Sequence, residues 1–466
     1  MSNAINKDQE NRAYLLMLAI VAALGGFLFG FDTAVISGTV GFVKDKFQLD
    51  ALAEGWFVGI ALIGCILGVI IAGFLSDAFG RKPVLLLSAV LFSVSAVGCA
   101  LSNSYMALVI YRLVGGLGIG VASIISPLYI SEISIARIRG TMVTLYQLAI
   151  TIGILAAYIS NYAILTYSSG SDYSNGSIWH WIMVNEIWRG MFGAGVIPAI
   201  LFFIFLLFVP ESPRYLISKG KEKKAHAIVA RISGETNAQA EIKEILQSFE
   251  TKSGSFKDLF SPGIFKALLI GISLAMFSQF SGINAIIYYG IKILQEAGLG
   301  SGDAFWGQIT IGIVNTLFTF VAIFTIDKFG RKPLLIWGVS GAVLGLIGIG
   351  ILFAFNITSS ALLLGFILFY IACFAFSFGP VVWVILSEIY PTRIRGRAMA
   401  VATLSLWFSV WLVGQFTPWL LESIKAEGTF WLFAVTCVPA IFVTLKFVPE
   451  TKNKHLEEIE KVFLKK

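Results

Sequence analysis

Charged residues are scarce in this sequence. Of its 466 residues only 13% are charged and 57% are hydrophobic, with a mean hydropathy of +0.84. Globular domains carry about 25% charged residues, roughly twice this share. A water-soluble fold is excluded, because a soluble protein of this length would need far more polar surface.

Cysteine and histidine are also rare, with four and three residues. Each cysteine lies alone in an apolar run without C-x-x-C spacing, and the histidines lie outside those runs. We therefore expect no disulfide, metal site or cofactor. No apolar run contains the paired acids or the nucleophile and base that hydrolysis requires, so we expect no enzyme. The cysteines are Cys65, Cys99, Cys373 and Cys437.

Long apolar runs are abundant by contrast. A helix needs about 20 apolar residues to cross the hydrocarbon of a bilayer, and backbone groups in lipid must be paired internally. The sequence therefore predicts an all-α integral membrane protein with twelve transmembrane helices. The runs lie near 13–36, 52–75, 83–102, 105–129, 141–163, 188–209, 265–289, 304–326, 333–354, 361–386, 398–421 and 429–447.

Three segments of the first half recur in the second half. SDAFGRKP at 76–83 matches IDKFGRKP at 326–333, SEISIARIRG at 131–140 matches SEIYPTRIRG at 387–396, and FVPESPR at 208–214 matches FVPETK at 447–452. Tandem membrane halves are typical of carriers, whose halves rock around a central site. The predicted division is a six-helix bundle at 1–209, a linker at 210–263, a second bundle at 264–448 and a tail at 449–466.

The linker alternates charged and apolar residues at helical spacing, which predicts amphipathic helices at the cytoplasmic face. We interpret them as solvated helices that touch anionic lipid, with a gate-latching role as the alternative. With the linker and both termini placed on the cytoplasmic side of the membrane, five of the 34 Lys and Arg residues fall on the outer side and Arg112 lies in a span. The remaining 28 lie on the cytoplasmic side. This bias predicts a multi-pass protein of the cytoplasmic membrane with both termini in the cytoplasm. It also explains the net charge of +7, so we expect no nucleic-acid partner.

The repeated segments place opposite charges at the cytoplasmic ends of neighbouring spans. A network between them would hold that face shut, and such ion pairs are weak enough to open in every cycle. The alternative is a generic basic loop that only sets topology. The gate candidates are Asp77, Arg81, Glu132 and Arg139 in the first half, with Asp327, Arg331, Glu388 and Arg395 in the second.

Asp32 is the acidic residue that lies deepest in an apolar run. A charge at mid-membrane costs roughly 2.5–3.5 kcal/mol on insertion scales, so we expect a partner in the bundle interior. Arg112 in the fourth span is the basic residue that can be this partner of Asp32. Burial favours the neutral carboxyl and a nearby cation favours the carboxylate, which suits a proton-coupling site. The alternative is a permanent structural pair.

Neutral polar side chains lie inside several spans. Gln279, Asn284 and Tyr288 are spaced five and four residues apart, which predicts one side of a single helix. Amides beside aromatic faces suit a neutral polyhydroxylated ligand. The alternative is that these residues only hold helices together.

These motifs together resemble the sugar porter family of the major facilitator superfamily, and are closest to bacterial xylose–proton symporters. The resemblance rests on both GRKP segments, PESPR, QFSGIN with YY, GPVVW and both RIRG segments. It implies twelve helices in two six-helix bundles, a cytoplasmic helical linker domain and alternating access. It also implies a central sugar site at Phe29, Gln147, Gln279, Asn284, Tyr288, Asn315 and Trp383.

Two positions depart from the family pattern. Ser278 stands where the family often has the first of two glutamines, and Leu406 stands where an amide often precedes the tryptophan, here Trp407. The predicted function is proton-coupled symport of a neutral monosaccharide, such as xylose or glucose, by a monomer. The alternatives are a facilitative sugar uniporter and a transporter-like nutrient sensor.

Overall fold

The computed structural model describes residues 11–170, 177–250, 256–357, 359–391 and 394–452. Throughout these ranges the regular structure is helical. Within the described residues, twelve helical spans are long and apolar enough to cross a membrane, and each overlaps one predicted run. The all-α architecture with twelve spans is therefore confirmed.

The first half contains six spans, and the sixth follows the short helix α6 (Ile178–His180) and one π-helical turn. The six are α1 (Arg12–Phe47), α2 (Ala51–Phe79), α3 (Arg81–Leu101), α4 (Tyr105–Ile133), α5 (Arg139–Ser169), and α7 (Ile187–Ala194) with α8 (Val196–Phe208).

Among the described residues, three α-helices of the linker, one 3-10 helix (Phe256–Phe260) and six further spans follow. The linker helices are α9 (Pro213–Ser218), α10 (Glu222–Ser233) and α11 (Glu235–Glu250). The spans are α12 (Pro262–Phe280) with α13 (Ile283–Glu296), α14 (Ser301–Phe329), α15 (Arg331–Ala354), α16 (Ser360–Phe376) with α17 (Phe378–Ile389), α18 (Arg395–Ser423) and α19 (Lys425–Phe447).

The seventh and tenth spans each consist of two helices, as the sixth does. Gly282 separates α12 from α13 with φ +83°, a left-handed conformation that a residue without Cβ adopts readily. Ser377 separates α16 from α17. Pro380 lies in the first turn of α17, where its missing N–H leaves no helical hydrogen bond unmade.

In the part of the chain that the structure describes, the most extensive contacts between the two halves are made by three helix pairs, α2 with α18, α5 with α14, and α1 with α13. The approach of α2 to α18 is especially close. A Cβ placed on Gly55 would lie 1.9 Å from the backbone oxygen of Gln415. Glycine at this position therefore permits backbone contact between the halves, as small residues do in membrane bundles.

The linker packs against the start of α1. Helix α10 buries Ala225, Val229 and Ile232 on one face, which confirms its amphipathic character. The backbone N–H of Asn11 donates to the Ile232 oxygen at 2.8 Å. The bundle face that bears this linker and both GRKP segments is called the motif face below. The exact domain boundaries stay a prediction, and tail residues 453–466 lie outside the described residues.

Candidate functional site

In the first half, the motif face is organised by Arg81. Its Nε and Nη2 donate to the two carboxylate oxygens of Glu132, each at 2.8 Å. The Ser212 hydroxyl donates to the same carboxylate. Gly80, with φ +101°, makes the turn between α2 and α3 that places Arg81 there. The result is a two-pronged ion pair that joins the end of α4 to the start of α3.

The second half repeats this arrangement with a looser ion pair. Arg331 Nη2 donates to Glu388 Oε1 at 2.9 Å, and the Thr451 hydroxyl donates to the other carboxylate oxygen. Gly330 makes the corresponding turn with φ +93°. Ser212 of the first half is equivalent in sequence to Thr451 of the second half. Each hydroxyl therefore comes from the segment that follows the last span of its half.

The remaining gate candidates are more peripheral. Both aspartates are exposed, with Asp77 3.8 Å from Arg81 Nη1 and Asp327 2.9 Å from Arg331 Nη1. Arg139 is exposed at the start of α5, and Arg395 Nε donates to the Tyr390 oxygen at 3.3 Å. Each ion pair named here joins residues of one half, so a gating role for these residues stays a prediction.

Two carboxylates of the motif face, Glu211 and Glu450, were missed by sequence reasoning. Glu211 accepts the backbone N–H groups of Arg81 and Lys82, at 3.0 and 3.3 Å. Glu450 accepts those of Arg331 and Lys332 at 3.1 and 3.0 Å. The repeated F-V-P-E was the signal that could have found them.

The pKa values of the two carboxyls are shifted in opposite directions. Burial raises the pKa of Glu211, and its backbone hydrogen bonds from Ser212, Arg81 and Lys82 only partly oppose this. Burial acts in the same direction on Glu450, but four backbone N–H groups outweigh it and hold its pKa below the ordinary value. The second-half carboxylate is therefore the more strongly held as an anion.

Asp32 and Arg112 are brought together in the interior of the first half. Arg112 Nη1 donates to Asp32 Oδ2 at 3.0 Å, and the arginine side chain is 3% exposed. Asp32 also borders a narrow cavity between α1, α3 and α7, lined by apolar residues such as Phe92 and Phe192. The carboxyl thus has one charged partner and one neighbouring cavity.

The amides of the seventh span meet across its break. Asn284 Nδ2 donates to Gln279 Oε1 at 2.8 Å, although Gln279 belongs to α12 and Asn284 to α13. The prediction that they lie on one continuous helix is wrong, because Gly282 interrupts the helix between them. Ser278 Oγ accepts a hydrogen bond from Gln279 Nε2 at 3.0 Å, so Ser278 orients this amide.

The other sugar-site candidates are distributed over both halves. Tyr288 and Asn315 are buried, Phe29 and Gln147 are half-buried, and Trp383 is 37% exposed. The Phe29 ring lies 5.5 Å from that of Trp407, which joins α1 to α18 across the seam. Trp407 was not among the candidates, because proximity to Phe29 is visible only in three dimensions.

A helical bundle of two six-span halves, with a charge pair inside one and paired amides inside the other, is the architecture of a membrane carrier. The family model for sugar (and other) transporters matches residues 18–463. The chain belongs to this family, the sugar porters of the major facilitator superfamily, and is a transporter and not an enzyme.

Several individual proteins are similar to the chain over nearly its whole length. The arabinose-proton symporter of Bacillus subtilis is 42% identical over 98% of this chain and 96% of its own. The D-xylose-proton symporter of Escherichia coli K12 is 39% identical over 97% and 96%. Among solved structures, the xylose transporter XylE from E. coli in a partially occluded inward open conformation has a TM-score of 0.83 at 38% identity, covering 95% of this chain and all of that one.

Proposed function

We propose that the protein carries a neutral monosaccharide, a pentose or hexose such as xylose or glucose, into the cell together with a proton. The observation on which this depends is the ion pair between buried Arg112 and half-buried Asp32 in the first half, set apart from the neutral amides of the second half. The names of the similar symporters support the same substrates. We propose further that the motif face is cytoplasmic, that both termini lie there and that a monomer suffices.

The sugar site is proposed at the seam between the halves. Gln279 and Asn284 offer an amide pair whose remaining donors and acceptors suit hydroxyl groups. Phe29 supplies an aromatic face, which suits the C–H face of a sugar ring. The residues proposed for this site have uncharged side chains, whereas an ionic substrate would need a charged partner. The site therefore favours a neutral substrate. The further residues assigned to the site are Gln147, Tyr288, Asn315 and Trp383.

Protonation of Asp32 supplies the coupling. A neutral carboxyl no longer attracts the Arg112 guanidinium as an anion does, so the 3.0 Å contact between α1 and α4 weakens. Helix α1 also contacts α13 of the second half, the helix that carries Asn284. A shift of α1 therefore reaches the sugar site, and loss of the proton to the cytoplasm restores the ion pair.

Asp32→Asn tests the coupling in proteoliposomes. The amide is isosteric but carries no titratable proton, so we expect loss of sugar accumulation against a gradient while sugar counterflow is retained. Asp45→Asn is the matched control, because Asp45 is an exposed aspartate of the same helix. Accumulation by Asp32→Asn equal to that of the control would show that the Asp32–Arg112 pair is structural and that Asp32 does not couple the proton. Failure of the wild-type protein to accumulate sugar under an imposed pH gradient would favour the facilitative uniporter. A panel of pentoses and hexoses with an imposed pH gradient identifies the sugar.

A further inference from the structure

A second buried carboxylate, Glu54, lies at the bundle face opposite the motif face. It occupies the first turn of α2, and its side chain is 1% exposed. Lys292 Nζ donates to both of its carboxylate oxygens, at 2.9 and 3.0 Å, and Lys44 Nζ lies 3.0 Å from Oε2. Two cations therefore compensate for the burial of one carboxylate, as an ionised group in this position requires.

The two lysines come from different halves of the protein. Lys44 is on α1, in the same half as Glu54, whereas Lys292 is on α13 in the other half. The Lys292–Glu54 pair therefore spans the seam. Two other close contacts between the halves lie nearby, since Gln415 Nε2 donates to the Leu52 oxygen at 3.1 Å and Gly55 touches the backbone of α18.

Opening this face must separate α2 from α13 and α18, because both contacts span the same seam. Lys292 would then leave Glu54, while Lys44 would remain beside it within the first half. The carboxylate therefore keeps one cation in either conformation, and water reaches it when the face is open. Retaining one partner avoids the large penalty of an unpaired buried charge, so the pair can break in every cycle.

We propose that Lys292 and Glu54 form an outer latch, an ion pair that keeps the extracellular face closed and sets the balance between inward-facing and outward-facing states. This inference rests on the alternating access of the proposed function. The Lys292–Glu54 pair differs in kind from the pairs of the motif face, because Arg81–Glu132 and Arg331–Glu388 each lie within one half. Lys292 and Glu54 act as positioning residues and need not contact sugar.

Double electron–electron resonance, which measures distances between two spin labels, tests the latch directly. Labels at Asp45→Cys and Gly302→Cys occupy exposed positions at this face in the first and second halves, with the four native cysteines replaced. In lipid nanodiscs, Lys292→Met and Glu54→Gln should each raise the ratio of long to short distances about tenfold, a typical coupling between two states. The charge-swapped double variant E54K/K292E should return the distribution towards the wild type.

Lys46→Met is the matched control. Lys46 is also an extracellular-face lysine and pairs with Glu186 at 2.6 Å, but both residues belong to the first half. Its distribution should match the wild type. The latch is refuted by wild-type distributions in both Lys292→Met and Glu54→Gln, or by an equal shift in Lys46→Met. Transport assays on the wild-type protein separate the two proposals, because absence of proton-coupled sugar uptake by the wild type, together with the expected distance shifts in the variants, refutes the function and not the latch.

Discussion

The two halves are almost the same at the motif face and different in the interior. At that face each half has a glycine turn, an arginine–glutamate pair and a carboxylate that accepts backbone N–H groups. Even the lysines agree, since Lys82 Nζ donates to the Leu207 oxygen at 2.8 Å and Lys332 Nζ to the Leu445 oxygen at 2.7 Å. Each lysine donates to a backbone carbonyl in the last turn of the final span of its half, where the helix has no further N–H groups to pair with the carbonyls.

The interiors differ in the kind of polar group that they bury. The first half places a charge pair between two unbroken helices, α1 and α4. The second half has helix breaks at Gly282 and Ser377, and neutral amides beside the first of these. A duplicated scaffold thus supports two separate tasks, and we assign proton coupling to the first half and most sugar contacts to the second.

The sharpest test of this division is Asn284→Ala. Loss of one hydrogen bond to a sugar hydroxyl should weaken sugar binding about tenfold, while the pH dependence of uptake stays unchanged. Asn161→Ala is the control, because Asn161 is a fully buried amide of the first half whose Nδ2 donates to the Val35 oxygen. Equilibrium binding of radiolabelled sugar gives the dissociation constants. Equal weakening in the two variants would contradict a sugar-specific role.

A smaller effect distinguishes the two arginines of the motif face. Lysine cannot reproduce the two-pronged contact of Arg81 with Glu132, so Arg81→Lys should lower the free energy of unfolding by about 2 kcal/mol. Arg331→Lys replaces a single donor to Glu388 and should cost about half as much. Thermal unfolding in detergent compares them. If Arg331→Lys lost more stability than Arg81→Lys, the number of hydrogen bonds to the glutamate would not determine how much each ion pair stabilises the fold.

The smallest effect concerns the pH response of Glu211 and Glu450. The lowered pKa of Glu450 means that its ionised form stabilises the fold above the ordinary pKa of 4.5, and that this contribution is lost as pH falls through the folded value. The raised pKa of Glu211 has the opposite sign, so its contribution is present below 4.5 and lost as pH rises through the folded value.

Glu450→Gln should therefore destabilise the protein more at pH 7 than at pH 4, and Glu211→Gln should cost more at pH 4 than at pH 7. We expect differences below about 1 kcal/mol, because both side chains are partly exposed and solvent screens their interactions. Chemical unfolding of purified protein at the two pH values measures them. The same trend with pH in both variants would remove this distinction between the halves.

Much of the architecture follows from the sequence because its signals are local. Spans follow from runs of apolar residues, and the positions of Glu132 and Glu388 at span ends follow from the repeats. Asp32 and Arg112 could be paired by elimination, since few charges lie in the spans of the first half. The breaks at Gly282 and Ser377 were not predicted, because hydropathy does not report whether an apolar run is one helix or two.

By itself the sequence determined the number of spans, the duplication and the residue types available for a proton and a neutral ligand, since each depends on neighbours along the chain. The tertiary structure alone decided which residues face each other across the seam. Phe29 with Trp407 and Glu54 with Lys292 are separated by hundreds of positions, and the packing of α1 and α2 against α18 and α13 brings them together. Long-range proximity arises from helix packing, and a linear pattern of residues does not record it.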